Sequence, residues 1–95
     1  MQTIWKYPLD IRTEIMIPTG AKILCVHVQN DRPCLWAQVD PKAVKEKRTF
    51  KIYGTGHEMF DACGTYVGTF MTDGGAFVWH VYEDFFKIEE IPSKS

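Results

Sequence analysis

The stretch GAKILCVHVQNDRPCLWAQVD, residues 20–40, alternates apolar and polar side chains on either side of Asn30-Asp31-Arg32. Successive side chains of an extended chain point to opposite faces, and Val, Ile and Trp suit a pleated, half-buried surface. Asn and Asp tolerate the backbone twist of a tight hairpin turn. Residues 21–30 and 33–40 therefore read as two antiparallel strands joined by a short turn. The same two-residue period recurs over 3–9, 13–17, 47–53, 65–71 and 76–83, punctuated by Pro18-Thr19-Gly20 and Asp73-Gly74-Gly75. The pattern predicts an all-β protein, a small antiparallel β-sandwich or barrel-like sheet of about six or seven strands. Short turns predict sequential pairing. Two segments depart from the alternation: 39–48, where Pro41 sits at a helix-start position and one helical turn is expected, and 57–64, read as a short helix or an irregular loop.

The 95 residues are enough for one domain, 1–95, with a modest core. The tail beyond Glu83 is apolar at Phe85, Phe86, Ile88 and Ile91, which are expected to dock, while 92–95 are expected to fray. A composition that is 45% hydrophobic, 24% charged and 14% aromatic is that of a folded globular chain. The net charge of -1 exerts no general pull on nucleic acid or an anionic membrane. Cys25, Cys34 and Cys63 are odd in number and contain no C-x-x-C pair, which favours a reducing compartment. With no apolar leader and no run near the roughly 20 apolar residues of a membrane span, a soluble intracellular protein is expected.

Placing the more apolar alternate set inside assigns Leu24, Val26, Val28, Leu35, Ala37, Val39, Phe50, Ile52, Phe77, Trp79 and Val81 to the core. The opposite set reads Cys25, His27, Gln29, Cys34, Trp36, Gln38, Thr49, Lys51, Tyr53, Val78, His80 and Tyr82. An ordinary solvent face carries more Lys, Glu and Asp. The simplest reading is a covered face, beneath a second layer of the same chain or at the interface of a homodimer or larger assembly; a ligand groove is the alternative.

The segment KAVKEKRTFK, residues 42–51, brings Lys42, Lys45, Lys47, Arg48 and Lys51 against the single acid Glu46, and runs into Gly54-Thr55-Gly56. Cationic side chains followed by glycines that expose backbone N–H groups suit a phosphate, although the spacing of a P-loop or dinucleotide fingerprint is missing. A solvated loop, neutralised by Glu83, Asp84, Glu89 and Glu90, explains the same charges. If there is a ligand site, it is expected to take a nucleotide-like anion, combining Trp36, Arg48, Lys51, Tyr53, Gly54, Thr55, Gly56, His57, His80 and Tyr82. His27, His57 and His80 lack the spacing of metal ligands, so neither a metal nor a cofactor is expected. His57-Glu58 has no nucleophile spaced to partner it, which argues against an enzyme, and no basic, aromatic-interleaved strand supports nucleic-acid binding.

The segments IWKYPL, GAKILCVHVQN, CLWAQVDP, KRTFKIYGTGHE, YVGTF and AFVWHVYE together resemble a group of small phage and prophage proteins of unknown function. That likeness spans residues 4 to 83. It implies a bacterial cytoplasmic setting and a phage accessory role, and it carries over no catalytic residue. By analogy with such proteins, the expected function is non-enzymatic: a self-associating β protein that sequesters a phosphorylated nucleotide signal of host defence or covers a host protein. A virion structural or assembly protein and a small hydrolase using His57 are the alternatives.

Overall fold

The computed structural model describes residues 1–59 and 64–84. Seven strands lie among the described residues: β1 (Thr3–Pro8), β2 (Arg12–Pro18), β3 (Lys22–Gln29), β4 (Arg32–Val39), β5 (Lys45–Gly54), β6 (Thr65–Thr72) and β7 (Phe77–Asp84). Each matches an expected strand to within two residues at either end. The helical turn expected after Pro41 is instead a single tight turn, in which the Ala43 N–H donates to the Asp40 carbonyl at 3.0 Å and the Lys42 N–H to Asp40 Oδ1 at 3.1 Å. Residues 45 and 46 already belong to β5, so too little chain is left for a helix. His57–Met59 are irregular, and residues 60–63 and the apolar tail from Phe85 lie outside the described residues.

Two antiparallel sheets form, ordered β1-β4-β3 and β2-β5-β7-β6. The expectation of sequential pairing holds only for the β3–β4 and β6–β7 hairpins. β1 pairs with β4, β2 with β5, and β5 with β7. Asn30 and Asp31 both take positive φ, 51° and 64°, the pair of left-handed residues that a two-residue hairpin requires. The Pro18-Thr19-Gly20 turn instead passes the chain from one sheet to the other, because Pro18 still pairs with Lys45 while Lys22 pairs with Gln38. The sheets meet edge to edge where β3 approaches β6. Gly68 permits that approach: a Cβ there would lie 2.6 Å from Val26 Cγ2.

One core joins the inner faces of both sheets through Leu9, Ile17, Ala21, Val26, Leu35, Ala37, Val39, Phe50, Ile52, Phe70 and Val81. Seven of the expected core residues are among them, and Trp79 packs against the cluster half-buried. Leu24, Val28 and Phe77 are instead exposed. Leu24 is the extra residue of a bulge between Ile23 and Cys25, which turns Ile23 rather than Leu24 toward Ala37. Val28 and Phe77 pair with Pro33 and Thr72 beside the two hairpin turns, at the ends of their strands.

Tyr7 enters this interior from β1, with its hydroxyl buried and without a hydrogen-bond partner among the described residues. Burial raises its pKa above the ordinary 10.0. A folded-state pKa above the unfolded one makes this group's contribution complete below about pH 10, and that contribution is lost as pH rises through the folded value. Tyr7→Phe removes the unpaired hydroxyl and is expected to stabilise the fold by about 1 kcal/mol at neutral pH. It also flattens the alkaline loss of stability. Urea unfolding at pH 7 and pH 11 checks both, and a destabilised Tyr7→Phe protein would contradict the reading.

Candidate functional site on the outer face of the four-stranded sheet

The outward side chains of β5, β7 and β6 build a continuous surface. Tyr53 pairs with His80, His80 with Thr69, and Tyr82 with both Lys51 and Tyr66. A second bulge, at Val67, keeps Tyr66 and Thr69 on this face while Gly68 turns to the seam. Tyr82 stands between two other tyrosines, with ring centroids 5.9 Å from Tyr53 and 5.6 Å from Tyr66, both edge to face. Each such contact is worth about 1 kcal/mol beyond its buried area.

Beside the tyrosines runs a chain of hydrogen bonds whose direction follows from counting hydrogens. Thr55 donates its hydroxyl hydrogen to the Val78 carbonyl at 3.2 Å, so its oxygen accepts from His80 Nε2, 2.8 Å away. With the hydrogen on Nε2, Nδ1 is placed to accept from the Thr69 hydroxyl, at 3.1 Å, and Thr69 in turn from the Tyr66 hydroxyl at 2.6 Å. The imidazole is locked by hydroxyls on both sides. Among the described residues its ring partners are these two threonines.

Charge lies toward the β2 side and the Thr49–Asp84 end of this face. Lys51 Nζ lies 3.4 Å from Asp84 Oδ2, and along the β2 edge Arg12 pairs with Glu14 at 2.9 Å, with Lys47 3.9 Å from the same Glu14. Met71 and Tyr66 are more than half exposed at the β6 side.

This surface gathers Lys51, Tyr53, Thr55, His80 and Tyr82 of the residues singled out in the sequence. Arg48 is not with them. It lies on the inward side of β5, in register with Phe50 and Ile52, where Nε and Nη2 bind both carboxylate oxygens of Glu83 at 2.6 and 2.7 Å. Nη1 donates to the Ala21 carbonyl at 2.8 Å. The bonds to Glu83 raise the guanidinium pKa further above its ordinary value, and the side chain is only 19% exposed. Every nitrogen that reads a phosphate is already engaged. Trp36 is also elsewhere: it points outward from the three-stranded sheet, opposite in sense to Leu35 and Ala37, with His27 at 6.4 Å and Cys25 as its cross-strand neighbour. The two outer faces flank the shared core and look away from each other.

The matching family is described as a domain of unknown function, DUF7352, and its model covers residues 1–90. The chain belongs to the DUF7352 family. No curated protein and no solved structure matches it.

The Gly54–His57 turn of this DUF7352 chain is closed by its own histidine. The His57 N–H donates to the Gly54 carbonyl at 3.0 Å, while the Gly54 N–H donates to His57 Nδ1 at 3.1 Å. Gly56 has φ +91°, as the third residue of such a turn requires. The imidazole lies across Gly54, where a Cβ would come 2.7 Å from its Cε1, and meets Trp79 edge-on at 6.0 Å. Gly54 and His57 are thus bound to each other, and the glycines shape a turn beside a shallow cavity of about 250 Å³ reaching Phe77 and Ala76. Among the described residues no group of three or more His, Cys, Asp or Glu is placed to hold a metal, and no helix is long and apolar enough to cross a membrane. Cys25 and Cys34 carry no disulfide. Sequence reading missed Tyr66 and Thr69; the only signal for them was their position on a strand whose phase a bulge resets.

Proposed function

We propose that the protein is a non-catalytic binding module that self-associates through the outer face of β5, β7 and β6 and, in the setting implied by its likeness to phage proteins, covers a host component. One observation carries this reading: an uncharged centre of Tyr53, Tyr66, Tyr82, His80, Thr69 and Met71, bordered by charged residues of both signs. Protein interfaces have this composition, with aromatic anchors and Met inside and charges displaced to the rim. A rim carrying Arg12 and Lys51 beside Glu14 and Asp84 offers both signs of charge, so a second copy of the same face can meet it with opposite charges.

A phosphorylated nucleotide is the second reading, favoured by Lys51 beside the tyrosine row, although Arg48 is committed to Glu83. Sedimentation at micromolar concentration tests the first. The parent is expected to run as a dimer or larger, and Tyr66→Lys with Met71→Lys, both at exposed positions, as an 11.0 kDa monomer with unchanged circular dichroism. A monomeric parent, or a double variant that still associates, would remove this face from self-association.

A further inference from the structure

A second concavity lies at the end of the sandwich away from the Arg48–Glu83 pair, between the sheets rather than on either outer face. It has a volume of about 280 Å³. Its floor is the inner face of the four-stranded sheet, Ile52, Phe70 and Trp79, and its walls include Leu9 and Ile11 from the β1–β2 connection and Pro33 from the start of β4. A dry apolar cavity of about 150 Å³ accepts benzene, so this one has room for a two-ring molecule.

Polar groups are few and specific. Trp79 Nε1 donates to Thr72 Oγ1 at 2.9 Å, and the Thr72 hydroxyl hydrogen has no acceptor among the described residues. Arg32, itself 49% exposed, and Asp10 also line the cavity. The Arg32 Nε donates to the Leu9 carbonyl at 3.2 Å and its Nη2 to Asp10 Oδ1 at 3.3 Å, which leaves Nη1 without a partner among the described residues. Asp10 is 75% exposed, so its charge is screened by water and competes weakly for the guanidinium. An apolar chamber with an Arg32–Asp10 pair at its wall, the arginine keeping Nη1 for a second acceptor, matches a ligand with a flat apolar body and a single anionic group.

We propose that this cavity binds a small aromatic carboxylic acid, its rings between Trp79, Phe70 and Ile52 and its carboxylate on Arg32. The site is independent of the outer face argued above, since the two lie on opposite sides of the same strands.

Indole-3-acetate is the probe, with the neutral indole-3-acetamide as its control, titrated into the full chain labelled with ¹⁵N. The Trp79 indole N–H resonance, identified with Trp79→Phe, is expected to move, with the Trp5 and Trp36 resonances unmoved. The acid is expected to bind about tenfold more tightly than the amide, as a charge-assisted contact implies. Arg32→Gln should bring the acid down to the level of the amide. Asp10→Asn, at an exposed position whose backbone bonds it leaves intact, should tighten the acid and leave the amide unchanged, so the outcome does not hang on Arg32→Gln folding. Ile11→Trp, which fills the cavity from an exposed position, should abolish both. A Trp79 resonance unmoved by either compound, equal affinity for acid and amide, or binding that survives Ile11→Trp overturns the proposal.

Discussion

Arg48→Met is expected to lower the unfolding free energy by about 3 kcal/mol, the low end of the range for breaking a buried ion pair. Both partners are about one-fifth exposed, which places the effect there rather than higher. The substitution keeps the aliphatic bulk, so the loss is electrostatic: the Glu83 carboxylate loses two donors at 2.6 and 2.7 Å and the Ala21 carbonyl loses a third. Arg48→Lys should recover little, because one ammonium cannot hold a two-pronged contact and a third acceptor at once. Glu83→Gln should cost about half as much, since a neutral amide still accepts one bond. The double change to Met and Gln should cost less than the sum of the singles, because the same ion pair is lost in each and can be lost only once. Urea denaturation of the four proteins measures this, and a cost below about 1 kcal/mol for Arg48→Met would mean the cation is free for another task.

Gly64→Ala is expected to destabilise by about 4 kcal/mol, for a steric reason at the same corner. Gly64 has φ +111°, a conformation that residues with a side chain rarely adopt, and a Cβ there would collide with the backbone carbonyl of Glu83. The strain accounts for about 1–3 kcal/mol. Backbone cannot rotate away as a side chain can, so relieving the collision means shifting β7 or the entry to β6 and adds to that figure. Gly20→Ala is the control: φ is also positive, +84°, with nothing within 4 Å of the added carbon, so only the conformational part remains. Thermal unfolding of the two variants separates the terms. Equal losses would show that the contact with Glu83 does not constrain Gly64.

Legibility differed between the strands and the site for a definable reason. Alternation in 20–40 depends on neighbours in sequence, so the β3–β4 hairpin with its turn at Asn30-Asp31 was readable, and so were the bounds of the other five strands. Lys51, Tyr53, His80 and Tyr82 were readable as one face because β5 and β7 are regular through those residues and pair in register. Leu24 and Tyr66 were not, because a single extra residue in β3 and another in β6 resets which side chains face inward, and nothing local marks a bulge when apolar residues flank it.

Arg48 and Trp36 show the larger gap. The charge run at 42–51 is a property of the sequence, yet whether a cation is available is settled by what stands opposite it, and Glu83 is 35 residues away. Trp36 and Tyr53 share a composition and a period, but β1-β4-β3 and β2-β5-β7-β6 are separate layers around one core, so side chains of equal phase leave it in opposite directions. Sequence by itself determined the strands found among the described residues, their bounds to within two residues, and the β3–β4 hairpin at its turn, because those depend on backbone preference and nearest neighbours. Only the tertiary structure decided which strands pair across long separations, which of two semi-apolar faces is the interior, and that Arg48 holds the fold together, because each follows from burial shared between segments that no local pattern connects.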